Sequence, residues 1–220
     1  MKTEKLYNLH THRFTNQEHI LELVNQYPWE FDEKVPFYSI GIHPWYIDEN
    51  RLPTDLQLID QKLALTDCLA LGECGLDKRI ERPLEIQIKV FKDQLLLAEK
   101  HQKPVVLHCV AAFEEIIRIK KEQNVTVPMI MHGFSKNEQT AKQLLDNGFY
   151  LSFGKYLLRN PELKTVFQSV PNDRFFLETD TIEESLEEVY ARAANYKNIE
   201  AEQLKSVLKT NFDNVFLRNL

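Results

Sequence analysis

The sequence predicts an α/β fold, a TIM-like (β/α) barrel with seven clear strands and an eighth that is short or irregular, built as one domain over residues 1–220. Three observations carry that prediction. Short apolar runs alternate with longer amphipathic stretches along the whole chain, the pattern of parallel strands returned by helices. The runs are apolar through most of their length, as strands buried on both faces are. Six of the seven runs end in a residue that can bind a metal or move a proton: His12, His43, Glu73, His108, His132 and Asp180. A closed ring of strands brings all its C-terminal ends to one centre, whereas an open doubly wound sheet would gather about two of them at its switch point.

The elements follow in order. Tyr7–His12 reads as the first strand, with Asn8, His10 and His12 on one face. Thr15-Asn16-Gln17-Glu18 fits a capping box, and Ile20, Leu21, Leu23 and Val24 form a helical stripe behind it. Residues 36–42 make the second strand, which ends at His43-Pro44-Trp45. A helix over 54–65 leads to the third strand, 68–72, with Glu73 at its end. Arg82-Pro83 opens a long helix to His101, with proline at a favourable first-turn position. Residues 104–107 form the fourth strand, ending at His108, and a helix through Ile116 and Ile119 precedes the fifth, 128–131, ending at His132. Ser135-Lys136-Asn137-Glu138 is a second capping box, and Gly148 closes the helix it opens. Residues 149–153 alternate as a sixth strand, Asn160-Pro161 starts another helix, and 174–180 is the seventh strand. The remainder reads as helical, entered through a third capping box from Thr181 to Glu184.

Composition narrows the function. The 220 residues are 43% hydrophobic and 27% charged, with 6 Gly and 9 Pro, a globular balance without low-complexity segments, repeats or linkers. No apolar stretch approaches the length of a membrane span, and nothing calls for an obligate protein partner. Residues 1–5 run straight into the first strand and leave no room for a signal peptide. The three cysteines, Cys68, Cys74 and Cys109, are odd in number and sit in or beside apolar runs. They fit reduced, buried thiols of a cytoplasmic protein rather than a disulfide frame or a Cys-rich zinc site. A net charge of −6 with no long basic block argues against tight non-specific nucleic-acid binding, although a local positive pocket or bound metals could hold phosphate.

The strand-end residues share a chemistry. His10 and His12, one strand step apart, can grip one divalent ion through neutral imidazoles, and alone they read equally well as a polar strand end. The recurrence of such residues down the chain favours a metal site. Two cations ~3.5–4 Å apart can activate a water and stabilise the attacking and leaving oxygens of a phosphodiester. Such a site needs one carboxylate to bridge and one to take the proton of the water, and Glu73 and Asp180 are available. Two divalent ions are expected: zinc, manganese, nickel or iron suits this donor set, and magnesium less well, because magnesium prefers oxygen shells.

Six stretches carry a resemblance: Asn8-Leu9-His10-Thr11-His12, Gly41-Ile42-His43-Pro44, Gly72-Glu73-Cys74-Gly75-Leu76-Asp77, Pro104-Val105-Val106-Leu107-His108, His132-Gly133-Phe134-Ser135 and Leu177-Glu178-Thr179-Asp180. In this order, and over nearly the whole length, they resemble the motifs of the TatD family of metal-dependent deoxyribonucleases, barrel enzymes related to the amidohydrolases. The Gly-Glu-x-Gly-Leu-Asp piece is the most specific. The resemblance implies that His10, His12 and Asp180 hold one metal, that His108 and His132 hold the other, and that Glu73 bridges them. It gives Asp180 the further task of orienting or deprotonating the water, and places His43 near the substrate phosphate as a catalytic and substrate-binding residue.

The chain departs from the family pattern in three places. Asn8 stands where the family has Asp. Cys109-Val110-Ala111-Ala112 replaces a Ser-Arg-Asp-Ala stretch, removing a cation and an anion. After Asp180, Thr181-Ile182-Glu183-Glu184 leads directly into a helix where the family carries Ser-Pro and a long loop rich in Pro, Arg and Asn. The metal cage is retained while the parts that would embrace a nucleic acid are cut back.

Other residues keep two readings. Trp45 and Tyr46 could bind substrate by stacking a base, or wall the mouth of the barrel. Glu178 could support the ligands, face the substrate or make a buried structural hydrogen bond, and Asp77 shapes the loop after Glu73. Lys155 is a phosphate contact or a surface lysine. His19 and His101 lie in helices, solvated or satisfied, and Glu183, Glu184, Glu187 and Glu188 form a solvated face near a helix N-terminus. The expected function is metal-dependent hydrolysis of phosphodiester bonds in DNA, short nucleotides or small phosphodiesters. The alternatives are an amide or ester hydrolase using the same metal–water chemistry, a PHP-type phosphoesterase, which also opens with His-x-His, and a non-catalytic binding protein.

Overall fold

A computed structural model describes residues 5–181 and 183–217. Among these residues, eight strands form one sheet in chain order: β1 (Leu6–Thr11), β2 (Ile20–Gln26), β3 (Tyr38–Ile40), β4 (Cys68–Asp77), β5 (Val105–Val110), β6 (Met129–Met131), β7 (Phe149–Phe153) and β8 (Phe175–Leu177). The helices are α1 (Leu52–Leu63), α2 (Leu84–His101), α3 (Phe113–Glu122), α4 (Glu138–Asp146), α5 (Lys155–Arg159), α6 (Leu163–Ser169), α7 (Leu186–Lys197) and α8 (Ala201–Phe216). The fold is a nearly closed parallel (β/α) barrel, as expected. The chain falls into two compact units, one made of the residues up to Val24 with those from Met131 on, the other of Asn25–Ile130, and the division falls inside β2 and inside β6.

The eighth strand is β2, which the sequence reading made a helix. Length explains the outcome. β1 and β2 are parallel, Leu6 opposite Ile20 and Asn8 opposite Glu22, so residues 12–19 must carry the chain back along the length of β1. A six-residue strand is about 20 Å long; eight helical residues span only about 12 Å, and eight extended ones more than about 24 Å. The connection is therefore irregular, and the stripe behind it is free to be a strand. The strand tolerates its polar residues because each is met. Glu22 accepts from Thr15 N–H and Thr15 Oγ1, both at 2.9 Å, and Gln26 Oε1 accepts from Asp32 N–H at 2.9 Å.

Within the first unit, β7 and β8 pair with Leu151 opposite Phe175, and the chain beyond β8 returns to β1. Asp180 N–H donates to the His10 carbonyl at 2.9 Å, and His12 N–H donates to the Asp180 carbonyl at 3.2 Å. The core holds fully buried Leu9, Leu23, Phe149, Phe153, Phe167, Phe175 and Phe212. Each such side chain contributes roughly 1.5–3 kcal/mol of transfer free energy. Tyr190 of α7 fastens the start of β1, its hydroxyl accepting from Tyr7 N–H at 2.8 Å and donating to the Tyr7 carbonyl at 3.0 Å.

Within the second unit, β4 is buried along its whole length and pairs with β3 and β5, Ile40 opposite Leu71 and Gly75 opposite His108. Two buried glutamines of α2 complete the strand ends. Gln94 accepts from Ile42 N–H at 2.7 Å and donates to the Ile42 carbonyl at 3.2 Å. Gln87 does the same for Asp77, at 2.8 and 3.0 Å. Each glutamine thus closes the hydrogen bonding of backbone that leaves the sheet, beside His43 and at Asp77.

Several boundaries differ from expectation. β4 and β5 run further, so Glu73 and His108 lie inside strands and not at their ends. The cap of α4 is Asn137, whose side chain accepts from Thr140 N–H at 3.0 Å; a residue two positions nearer the helix outcompetes Ser135. The capping box of α7 is Ser185 with Glu188, because Glu184 is already engaged by Arg159 at 2.7 Å. Residues 1–4 and Ile182, on which the expected N-terminus and part of the third capping box rested, lie outside the described residues. His19 precedes β2 in a turn and pairs with Glu187 at 2.9 Å, while His101 ends α2 and pairs with Asp60 at 2.6 Å. Cys68 and Cys74 are free and buried, and burial pushes the Cys68 thiol up to about 12. No described helix is long and apolar enough to cross a membrane.

Gly75 gives a sharp test of the β4–β5 register. Its φ is +143°, and an added Cβ would lie 2.0 Å from the His108 carbonyl oxygen. Gly75→Ala is expected to cost about 3 kcal/mol or more in urea melts. Gly133→Ala, with φ +57° and its nearest neighbour at 3.8 Å, should cost only about 1 kcal/mol. Equal melts for the two variants would contradict this register.

Candidate metal centre

In the first unit β1 delivers His10 and His12, their rings 5.0 Å apart and nearly perpendicular. His10 is fully buried. Asp180 follows β8 and adopts φ 56°, a left-handed conformation that few non-glycine residues hold. Its carboxylate is shared: Oδ1 lies 3.6 Å from His12 Nε2 and 3.9 Å from His10 Nε2, and Oδ2 lies 3.2 Å from Lys155 Nζ. Ligand atoms around one tetrahedral zinc, each ~2.0–2.1 Å from it, stand about 3.4 Å from one another. The two imidazole–carboxylate separations at Asp180 lie slightly above that value. Asn8 holds the neighbouring backbone, donating to Thr179 Oγ1 at 2.9 Å and accepting from Thr179 N–H at 3.0 Å. The departure from Asp at this position thus supplies a donor and an acceptor to the residue that presents Asp180.

His132 stands just beyond β6, its ring 4.3 Å from that of His10. Its Nδ1 lies 3.2 Å from Glu178 Oε1, which also accepts from Gly133 N–H at 2.7 Å. Of the expected site residues, this unit therefore brings together His10, His12, His132 and Asp180.

The second unit brings together His43, Trp45, Glu73 and His108. Glu73 Oε1 lies 2.9 Å from His108 Nδ1 and 3.3 Å from His43 Nε2, and the three side chains can offer donor atoms within 4.8 Å of one another. His43 Nδ1 accepts from Trp45 N–H at 3.1 Å. That bond turns Nε2, with the ring proton, toward Glu73. Asp77 does more than shape a loop. Its Oδ2 accepts from the Trp45 indole N–H at 2.7 Å and lies 3.3 Å from His108 Nε2, while Oδ1 accepts from Arg79 N–H at 2.8 Å. Burial alone would raise the Asp77 carboxyl, but the indole, the Arg79 N–H and His108 together hold it below the usual carboxylate range. Trp45 keeps 55% of its surface exposed.

Both clusters suit a divalent cation. Each joins imidazole nitrogens to a carboxylate, the donor chemistry of zinc, manganese, nickel and iron sites. The sequence reading missed Asn25, whose Oδ1 accepts from Glu73 N–H at 2.7 Å and fixes the strand where Glu73 projects. An amide side chain among Leu23, Val24 and the other apolar residues of β2 was the available signal, hidden by the helical reading of that stretch.

Comparisons with known proteins identify the family. The family model described as TatD related DNase matches residues 2–217. The metal-dependent hydrolase YabD of Bacillus subtilis is 33% identical over 165 residues, covering 73% of this chain and 62% of that protein. The 3'-5' ssDNA/RNA exonuclease TatD of Cronobacter turicensis is 34% identical over 120 residues, 52% of this chain and 45% of that protein. The alignments thus span about half to three-fifths of those relatives. The crystal structure of YJJV, a TatD homolog from Escherichia coli, superposes with a TM-score of 0.83 at 20% identity, covering 96% of this chain and 98% of that one, a likeness of fold. From the His-x-His opening of β1 to the acidic motif beyond β8, this chain belongs to the TatD related DNase family.

Proposed function

We propose that this protein is a metal-dependent hydrolase that cleaves phosphodiester bonds in short single-stranded nucleic acid or small phosphodiesters. One observation carries the reading: in each unit a carboxylate is flanked by two imidazoles, Asp180 by His10 and His12, and Glu73 by His43 and His108. His10, His12 and Asp180 would hold one divalent ion, and Glu73 and His108 another. Bound ions would lower the pKa of a water and polarise the phosphoryl oxygens.

The side chains divide the remaining work. Asp180 takes the proton of the attacking water, a task that needs a carboxylate with an accessible lone pair. Lys155, 3.2 Å from Asp180 Oδ2, pairs with that carboxylate and offers its ammonium to a phosphate oxygen. His43, its Nε2–H toward Glu73, orients that carboxylate. Trp45, exposed but anchored by its indole N–H, offers a face on which a base stacks.

Asp180→Asn should retain the fold and lose ~10²–10⁴-fold in kcat, because an amide cannot take the proton. Turnover close to wild type in that variant would place the base elsewhere. Glu73→Ala should lower the metal content found by elemental analysis and abolish turnover; an unchanged metal content would remove Glu73 from the ligand set.

Substrate choice follows from charge. With 33 Asp and Glu against 27 Lys and Arg, the net charge of −6 disfavours tracking a polyanion. A chromogenic phosphodiester should be hydrolysed with added manganese, and single-stranded DNA more weakly and only at low salt. Efficient, salt-resistant digestion of duplex DNA would contradict the substrate reading. Inactivity on every phosphodiester, with metal present, would overturn the proposed function in favour of an amide or ester hydrolase.

A further inference from the structure

Two large aromatic side chains of the second unit stay in water beside His43. Trp45 keeps 55% of its surface exposed and Tyr46 46%. They are consecutive residues of the short 3-10 turn Pro44–Tyr46, in which successive side chains point about 120° apart. Both rings approach the His43 ring, with centroids 5.2 and 5.5 Å from it, and from there they diverge. Trp45 leans toward His108, 6.0 Å from its ring, and its indole N–H is tied to Asp77. Tyr46 leans toward Tyr27 and Trp29, 5.4 and 6.0 Å away. That second ring has a foundation of its own. Tyr27 and Trp29 stack 5.0 Å apart and within 7° of parallel, and the Arg51 guanidinium lies 4.1 Å from the Trp29 ring centre. Arg51 Nε donates to Asp55 Oδ2 at 2.8 Å, and Nη2 donates to the Tyr46 carbonyl at 3.2 Å. The Tyr46 N–H donates to the His43 carbonyl at 3.0 Å. Both residues are thus held in place while a large part of each ring stays open.

We infer that Trp45 and Tyr46 are two base-stacking subsites on either side of the phosphodiester that His43, Glu73 and His108 face, so that the substrate carries a base on both flanks of the cleaved bond and a dinucleotide is the shortest chain that fills both. The inference rests on the phosphodiesterase reading and narrows its substrate. An internal phosphodiester has a nucleoside on each side, and His43, 3.3 Å from Glu73 Oε1, has an open aromatic ring on each side. Rings that stay exposed forgo the free energy of burial, and rings already held lose little freedom on meeting a flat partner. Every base has a π face, so such subsites select for length rather than sequence. Each stacked base is worth roughly 5–150-fold in binding.

A thymidine dinucleotide and three analogues, with base-free tetrahydrofuran in place of the first nucleoside, the second or both, test each subsite while keeping the scissile bond. In the manganese-loaded wild type, removal of either base should lower kcat/KM roughly 5–150-fold, mainly through KM. Trp45→Ala should erase the penalty for losing one base, and Tyr46→Ala the penalty for losing the other. Trp45→Phe and Tyr46→Phe, which keep a ring, should retain most of both penalties. Tyr46→Leu keeps apolar bulk against Tyr27 and Trp29, and should act as Tyr46→Ala does even if the alanine variant fails to fold. Trp29→Phe leaves Trp45 as the only tryptophan of the chain. In stopped flow, before turnover, its emission should be quenched more by the dinucleotide than by the doubly base-free analogue. Equal kcat/KM on all four compounds, both penalties intact in the Trp45→Ala and Tyr46→Leu variants, or a chromogenic phosphodiester cleaved while the dinucleotide is not, would overturn the inference and leave the phosphodiesterase reading standing. Inactivity on every phosphodiester, with metal bound, would overturn that reading and this inference with it.

Discussion

A carboxylate taken out of water must be met by donors or by a cation, and this requirement governs the structure. Glu73, Asp77 and Glu178 are almost wholly buried. Left alone in a protein interior, each would cost several kcal/mol, so none is left alone. Glu73 meets two imidazoles, Asp77 an indole, a backbone N–H and an imidazole, and Glu178 a backbone N–H and an imidazole. Histidine recurs as the partner because its ring N–H can donate to a carboxylate.

The scaffold serves the same end. Glutamines of α2 close the hydrogen bonds at Ile42 and Asp77, Asn25 of β2 holds the backbone of Glu73, and Asn8 of β1 holds Thr179. These amides carry no charge and both donate and accept, so they can satisfy backbone groups where strands end without adding to the electrostatic load. Supports of this kind hold the backbone beneath the functional side chains in place, which lowers the entropic cost of binding a ligand there.

What the sequence revealed and what it concealed have physical causes. The histidine and acidic motifs were legible because their chemistry is in the residue type: His10, His12, His132 and Asp180 fall in one cluster, and His43, Glu73 and His108 in the other. Strand β2 was concealed because Ile20, Leu21, Leu23 and Val24 satisfy a helical period and a buried strand equally, and only the eight-residue connection before them decides. The supporting groups were concealed for a different reason. Nothing in Gln87, Gln94 or Asn25 alone says which backbone group it will meet, since that depends on pairing across elements distant in sequence. Asp77 and Glu178 stood in recognised motifs, yet their contacts with His108 and His132 join residues distant in sequence.

The central claim is that these paired imidazoles and carboxylates exist to hold divalent cations. Crystals of metal-stripped protein soaked in manganese, with diffraction recorded for the anomalous signal of that metal, test it most directly. The account predicts anomalous density against His10, His12 and Asp180 and against Glu73 and His108. Ordered side chains in both clusters with no anomalous density at either would contradict it.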